Sequence, residues 1–163
     1  ENIRVPFILT PPINRVDPGK GQTLRLSYTG AALPMDKESV FWLNVLEIPA
    51  KKQLKDDASL LQMAFRSRIK LFFRPAGLNG DANDAAQKVT WSAAPGGVKA
   101  FNPTPYFVSL VSLAVNGKER EGQMIAPYSS LMFNGIRAAA GTQIAIEFVN
   151  DYGAVNKFDA LVK

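Results

Sequence analysis

The sequence contains neither histidine nor cysteine among its 163 residues. Their absence excludes Ser-His-Asp and Cys-His catalysis, zinc sites built from Cys and His ligands, and disulfides. Long apolar runs are also missing, because none reaches the roughly 18 residues that a membrane helix needs. A phosphate-binding G-x-x-x-x-G-K-[ST] pattern does not occur either. We therefore expect a protein that is not embedded in a membrane and has no nucleotide-driven activity.

Positive charge is concentrated in the first half of the chain. Residues 1–78 hold 12 Lys and Arg against 7 Asp and Glu, whereas residues 79–163 hold 7 of each. Nucleic-acid binding would account for a basic surface, but the chain has no block of Lys and Arg and no zinc-finger or RNP-like pattern. A solvated basic face is favoured, and we expect no nucleic-acid partner.

Turn-forming residues are frequent, with 12 Gly and 11 Pro. Short runs rich in β-branched and aromatic residues lie between them, a pattern typical of a β-sandwich. Asn116-Gly117 predicts a tight turn. We expect an all-β fold with strands near residues 5–9, 22–28, 39–48, 60–73, 88–91, 98–101, 106–115, 130–133, 142–149 and 157–162.

Residues 75–87 form the best candidate linker. They read PAGLNGDANDAAQ and include only one large apolar residue, Leu78. This composition predicts a domain boundary, with one domain over residues 1–78 and a second over 79–163. The NGDAND run within the segment faintly resembles a calcium loop, but it lacks the glycine and the bidentate glutamate at the required positions. We expect no metal site.

The longest predicted strand covers residues 60–73. Apolar residues dominate the odd positions from Leu61 to Phe73, and the even positions include Lys70 and two arginines. A shorter helical stripe is also present, but alternation over 13 residues favours a strand. So long a strand would extend beyond its neighbours and offer unpaired backbone groups to another chain. On pattern alone, an ordinary long sandwich strand fits equally well.

Six segments, taken together, form a pattern that is specific to one protein family. They are TPPINRVDPGKGQTLRL at 10–26, LPMDKESVFWLNVLEIPA at 33–50, LQMAFRSRIKLFFRPAGL at 61–78, NPTPYFVSL at 102–110, IAPYSS at 125–130 and NDYGA at 150–154. With these segments in this order, the sequence resembles the periplasmic pilus-assembly chaperones of the chaperone–usher pathway. The short segment AKKQLKDDAS after Pro49 is similar to the short-loop branch of that family.

The resemblance implies two immunoglobulin-like β-sandwich domains set at an angle. The first domain of the family begins well before the segment that opens this chain, and those earlier strands carry a second cleft cation, an arginine. We therefore expect the first domain to be incomplete in this chain. The chain starts at Glu1 without a signal-type stretch, so we expect a mature form or a fragment.

The resemblance also implies a periplasmic function without enzymatic activity or a cofactor. Such a chaperone adds an edge strand to a pilus subunit, a pilin or a tip adhesin, that lacks its own final strand. It holds the C-terminal carboxylate of the subunit and delivers the subunit to the outer-membrane usher. An unpaired edge strand also allows self-association.

Within the shared motifs, four groups of positions in this chain match functional residues of the family. The groups are the apolar row of the donor strand at Leu61, Met63 and Phe65; the anchor of the subunit carboxylate at Lys70; an interdomain charge network at Glu38, Arg74 and Asp151; and an usher contact at Thr10, Pro12, Arg25 and Ile48.

Plainer roles compete with these assignments. The alternative interpretation of Lys70 is an ordinary exposed lysine. The alternative for Met63 and Phe65 is packing in the core of their own domain. The alternative interpretation of the network residues is three unrelated surface charges, and exposed ion pairs contribute less than about 1 kcal/mol to stability. The alternative function is a non-chaperone immunoglobulin-like adhesion or structural module. A carboxylate-pair hydrolase is disfavoured, because no spaced Asp or Glu pair has an apolar setting.

Overall fold

The structure is a computed structural model that describes residues 5–49 and 63–163. The chain divides into two compact units, Glu1–Pro34 and Met35–Lys163. In the described residues the regular secondary structure is mostly β-strand, and the helical elements are two single turns. The prediction of an all-β fold is confirmed. Among the described residues, no helix has the length and apolar character needed to span a membrane.

The first unit contains one antiparallel strand pair. β1 (Phe7–Thr10) pairs with β2 (Arg25–Tyr28). The rings of Phe7 and Tyr28 lie opposite each other with their centroids 5.7 Å apart. Strands near 5–9 and 22–28 are thus present, with slightly different bounds.

The second unit begins with another antiparallel pair. β3 (Ser39–Leu46) and β4 (Arg66–Phe73) pair without a register shift, so that Trp42 lies opposite Lys70. Side chains alternate between the two faces of a strand. The face that carries Trp42 and Lys70 therefore also carries Arg68, whereas Phe41, Leu43 and their partners occupy the other face.

β4 is shorter than the strand predicted over 60–73. Residues 60–62 lie outside the described residues, and Met63, Ala64 and Phe65 precede the strand without belonging to a helix. The Glu47 N–H donates to the Phe65 carbonyl at 2.8 Å, so one hydrogen bond of the ladder extends past the start of β4. The predicted strand is confirmed over residues 66–73. It does not include the three described residues before them, 63–65.

The rest of the second unit is a β-sandwich of antiparallel strands. One sheet has the order β10-β6-β5, and the other has the order β12-β11-β7-β8 with β9 beside β7. The strands are β5 (Thr90–Ala94), β6 (Gly97–Phe101), β7 (Val108–Val115), β8 (Lys118–Glu121), β9 (Met124–Ile125), β10 (Ser130–Asn134), β11 (Gln143–Val149) and β12 (Val155–Leu161).

The core lies between these two sheets. Trp91 from one sheet and Leu113 and Ile144 from the other are at most 1% exposed. In the part of the chain that the structure describes, every buried side chain of the apolar cluster lies between Ala85 and Val162. The sandwich of the second unit therefore contains the burial that stabilises the described fold.

The segment at 75–87 is more ordered than the linker that its composition predicts. A single 3₁₀ turn (Ala82–Asp84) leads into the short helix α1 (Ala85–Lys88). Ala85 and Ala86 are 0% and 2% exposed and belong to the core. Alanine carries no strong hydrophobic signal in a sequence, yet its small side chain lets the turn pack closely against the sandwich.

The predicted turn at Asn116-Gly117 is confirmed. Both residues have positive φ, 50° and 74°, and they connect β7 to β8. β8 itself was not predicted, because its sequence KERE is fully charged and exposed. Backbone pairing with β7 makes it a strand, and its charges suit an edge that should not pair further.

Candidate functional site

Arg74, directly after β4, binds two carboxylates that are distant in sequence. Its Nε donates to Glu38 Oε1 at 2.6 Å, and Nη1 and Nη2 donate to Asp151 Oδ2 and Oδ1 at 2.6 and 3.0 Å. The pair with Asp151 is the bidentate fork that guanidinium groups favour. The carboxylates of Asp151 and then Glu38 raise the pKa of Arg74 above its ordinary value, although burial opposes them. The structure thus brings together the three residues of the predicted charge network.

Glu38 is the buried member of this group, with 3% exposure. Its second carboxylate oxygen accepts the Phe107 backbone N–H at 2.7 Å, and its own N–H donates to the Pro105 carbonyl at 2.9 Å. A buried charge is strongly unfavourable unless it is paired and hydrogen-bonded. Both oxygens of Glu38 meet that requirement, and the bonds attach the residue before β3 to the loop before β7.

The loop before β7 is organised around Asn102, which is 0% exposed. Its Nδ2 donates to the Tyr106 carbonyl at 2.7 Å, and its Oδ1 accepts the Thr104 N–H and hydroxyl at 3.0 and 2.7 Å. Such bonds replace the water that a buried amide has lost. This explains the NPTPY motif physically, because it builds the rigid loop that presents a backbone N–H to Glu38.

Tyr106 connects that loop to the segment that follows Arg74. Its hydroxyl donates to the Gly80 carbonyl at 3.0 Å and lies 3.3 Å from the Leu78 carbonyl. The guanidinium carbon of Arg74 lies 5.3 Å from the centroid of the Tyr106 ring. Tyr106 is not among the predicted site residues, although it lies within the NPTPYFVSL segment.

Asp151 is held by a residue that sequence reasoning missed. Asn83 Oδ1 accepts the Asp151 N–H at 3.1 Å, and Asp81 Oδ1 accepts the Asn83 N–H at 2.8 Å. The polar run NGDAND therefore orients the turn that carries Asp151. Across residues 5–49 and 63–163, no group of three or more His, Cys, Asp or Glu could hold a metal ion.

Trp42, Arg68 and Lys70 form a second cluster, which we call the Trp42 platform. The guanidinium carbon of Arg68 lies 4.1 Å from the centroid of the Trp42 ring, and Lys70 Nζ lies 5.9 Å from it. Lys70 Nζ also donates to Ser109 Oγ on β7 at 3.2 Å. Neither cation forms a salt bridge with a carboxylate of the described residues.

The predicted apolar row lies at the other end of the β4 segment. Met63 and Phe65 are each 61% exposed, so neither is packed in the core of the described chain. Leu61 lies outside the described residues.

The structure pairs only two of the four residues predicted to contact the usher. Thr10 on β1 lies opposite Arg25 on β2, and Pro12 is exposed shortly after β1. Ile48 follows β3 in the other unit and is 79% exposed.

Two family models match this chain along most of its length. Residues 1–79 match the N-terminal domain of PapD, described as a pili and flagellar-assembly chaperone, and residues 84–160 match the C-terminal domain of the pili assembly chaperone PapD. The chain belongs to the PapD family of pilus-assembly chaperones. The resemblance read from the six segments is therefore confirmed.

Relatives of this PapD-family chaperone agree in sequence and in fold. The chaperone protein FimB/FhaD of Bordetella pertussis is 44% identical, with 99% of this chain and 70% of that protein covered. The CupB2 chaperone of Pseudomonas aeruginosa has a TM-score of 0.80 and 38% identity, with 98% of this chain and 76% of that one covered. The Salmonella enterica SafB chaperone, solved in complex with the SafA pilin, has a TM-score of 0.84 and 27% identity, with 96% and 74% covered.

Proposed function

We propose that this PapD-family chaperone captures a pilus subunit in the periplasm and delivers it to the outer-membrane usher. The segment at 61–73 adds to the incomplete sheet of the subunit by pairing backbone to backbone, without a covalent step. Leu61, Met63 and Phe65 supply the apolar side chains, and Lys70 holds the C-terminal carboxylate of the subunit. Residues 1–78 and 79–163 act as the two domains of the chaperone.

The observation that carries this proposal is the layout of β4 and the residues before it. Met63 and Phe65 are exposed, whereas Lys70 further along is half-buried and has no carboxylate partner within the described part of the chain. At about 3.3 Å per residue, Phe65 and Lys70 lie roughly 17 Å apart along the strand. An extended peptide of five to six residues fits this span, with apolar side chains at one end and its carboxylate at the other.

The charge network supports the same function by fixing the position of the end of β4. Arg74 lies four residues after Lys70 and is bonded to Glu38 and Asp151. Together with the bond from Lys70 to Ser109, these contacts hold the end of β4 against the C-terminal sandwich. The SafB relative was solved with a pilin, which supports a pilus subunit as the partner here. Thr10, Pro12, Arg25 and Ile48 are the proposed usher contacts.

Peptide binding by Lys70→Ala tests the proposal. The probes are an acetylated octapeptide with valine at alternate positions and a free C-terminal carboxylate, and the same peptide ending in an amide. We expect the protein to prefer the acid, and Lys70→Ala to weaken acid binding by more than roughly a hundredfold, because an unpaired desolvated carboxylate costs several kcal/mol.

Arg66→Ala is the matched control, because Arg66 lies on the same face of β4 opposite Leu46. It should change binding only through a salt-sensitive association rate. Equal binding of the acid and the amide by the unmodified protein would contradict the proposal. So would a Lys70→Ala loss no larger than that of Arg66→Ala.

A further inference from the structure

We infer that Arg68 adds a further cation to the carboxylate site at Lys70 and that Trp42 positions Arg68 there. This inference rests on the proposed function, in which a carboxylate binds at Lys70. It gives Arg68 a different role from Arg66, although both are arginines on the same face of the same strand.

The geometry places both cations beside one aromatic ring. Arg68 and Lys70 are separated by one residue and therefore project from the same face of β4. Trp42 lies opposite Lys70 on β3, and its ring is 4.1 Å from the Arg68 guanidinium carbon and 5.9 Å from Lys70 Nζ. Both distances lie within the range of cation–π attraction.

The charges make this cluster suitable for an anion. Two neighbouring cations repel each other, and the negative face of the indole offsets only part of that repulsion. Among residues 5–49 and 63–163, no carboxylate forms a salt bridge with either cation. A carboxylate that reaches both groups would be held by the fork of the guanidinium and the point charge of the ammonium.

Trp42 leaves room for such a ligand. It is 41% exposed, although Arg68 stacks on it. The open part of the indole gives an apolar surface next to the two cations. A peptide terminus combines these features, because its carboxylate adjoins the side chain of its last residue. The structure assigns the Trp42 platform to an extended peptide that ends in a free carboxylate and an apolar side chain.

Fluorescence quenching measures the anion preference of the platform without a peptide. The chain has two tryptophans, and Trp91 is 1% exposed whereas Trp42 is 41% exposed, so added quenchers report on Trp42. We expect the ratio of quenching by iodide to quenching by neutral acrylamide to fall at least about twofold in Arg68→Ala, because the local positive potential attracts iodide. Arg66→Ala is the control and should keep the ratio. An Arg68→Ala ratio equal to that of Arg66→Ala would overturn the inference.

The acid and amide peptides then separate binding from mere support of the fold. If Arg68 only held the Trp42 ring in position, Arg68→Ala would weaken the binding of both peptides equally. If Arg68 binds the carboxylate, the acid-to-amide preference should fall about tenfold, which is the loss of one charge-assisted contact worth about 1.4 kcal/mol. Arg68→Lys keeps the charge but loses the fork, and it should retain part of the preference.

The Lys70 variant distinguishes the two levels of the proposal. A preference that depends on Lys70 but not on Arg68 would overturn this inference and leave the proposed function standing. A preference that depends on neither residue would overturn both.

Discussion

Among the described residues of the predicted site, Arg74 is the side chain with the most partners. Its guanidinium satisfies one buried carboxylate, Glu38, and one half-exposed carboxylate, Asp151, and lies beside the Tyr106 ring. The pKa of Arg74 is raised by Asp151 and Glu38. A base with a raised folded-state pKa stabilises the fold at every pH below its unfolded value and loses that effect only as the pH rises through the folded value. Arg74 itself therefore introduces no pH dependence near neutrality.

Replacing Arg74 with alanine should destabilise the protein and loosen the arrangement of β3 and β4 against the C-terminal sandwich. Glu38 would keep its bond from the Phe107 N–H but lose its counter-charge, which we expect to lower the free energy of unfolding by about 1–3 kcal/mol. The half-exposure of Arg74 limits the effect. Urea denaturation measures the loss, and solution scattering of Arg74→Ala should show a broader distribution of shapes.

The control for this substitution is Arg137→Ala, which removes an exposed arginine near β10. It should leave both measurements unchanged. Arg74→Lys should fall between the two, because an ammonium cannot bind two carboxylates as a fork. An Arg74→Ala variant as stable as Arg137→Ala, with unchanged scattering, would refute a role for the network in fixing geometry.

At the scale of elements, the contact between β6 and β10 requires a residue without a side chain. Gly97 begins β6 and pairs with Asn134 at the end of β10. A Cβ at Gly97 would lie 2.2 Å from the Phe133 carbonyl oxygen, whereas a Cβ at the neighbouring Gly96 would have no atom within 4 Å. Gly96 instead needs its positive φ of 83° to form the turn.

Substituting alanine at Gly97 and at Gly96 should therefore lower the free energy of unfolding by different amounts. Gly96→Ala forces a side chain into the left-handed region, which costs about 1–2 kcal/mol. Gly97→Ala creates a clash with rigid backbone, so β6 and β10 must separate, and we expect a larger loss that also weakens strand pairing. Denaturant unfolding of both variants, with amide exchange of β10, measures the difference. A Gly97→Ala cost no greater than that of Gly96→Ala would show that the pair relaxes easily.

At the scale of the whole molecule, burial is unevenly distributed. The apolar cluster of the described residues lies within 85–162. The pairs β1–β2 and β3–β4 are separate two-stranded sheets. Many of their apolar side chains are exposed, as Ile8 at 58% and Ile69 at 54% illustrate. Two-stranded sheets without a buried face are marginally stable in water.

Amide hydrogen exchange should reveal this difference directly. We expect the amides of β7 and β11, at the centre of the five-stranded sheet, to be protected at least a hundredfold more than those of β1 and β2, because local opening of the small pair exposes little apolar surface. Exchange monitored by mass spectrometry at neutral pH measures it. The paired amides of β12, at the edge of the same sheet, provide an internal reference of intermediate protection. Similar protection of β1 and β7 would show that the first unit has stability that its described burial does not explain.

Much of this molecule follows from local pattern. Alternating apolar and polar residues predict strands, because side chains alternate between the faces of an extended chain whatever its partners are. Asn116-Gly117 predicts its turn, because glycine tolerates positive φ and asparagine tolerates it better than most residues. The family segments predict the all-β chaperone fold and identify Glu38, Arg74 and Asp151 as a group without reference to their contacts.

Other features depend on which parts of the chain meet in space. Arg66 and Arg68 are equivalent in the alternating pattern, yet only Arg68 stacks on Trp42, because the register of β3 against β4 decides which cation reaches the ring. β8 is a strand through its bonds to β7 and not through its own residues. Asn83 acts on Asp151 across 68 positions of sequence. Register, edge pairing and long-range hydrogen bonds arise from tertiary packing, and no local pattern encodes them.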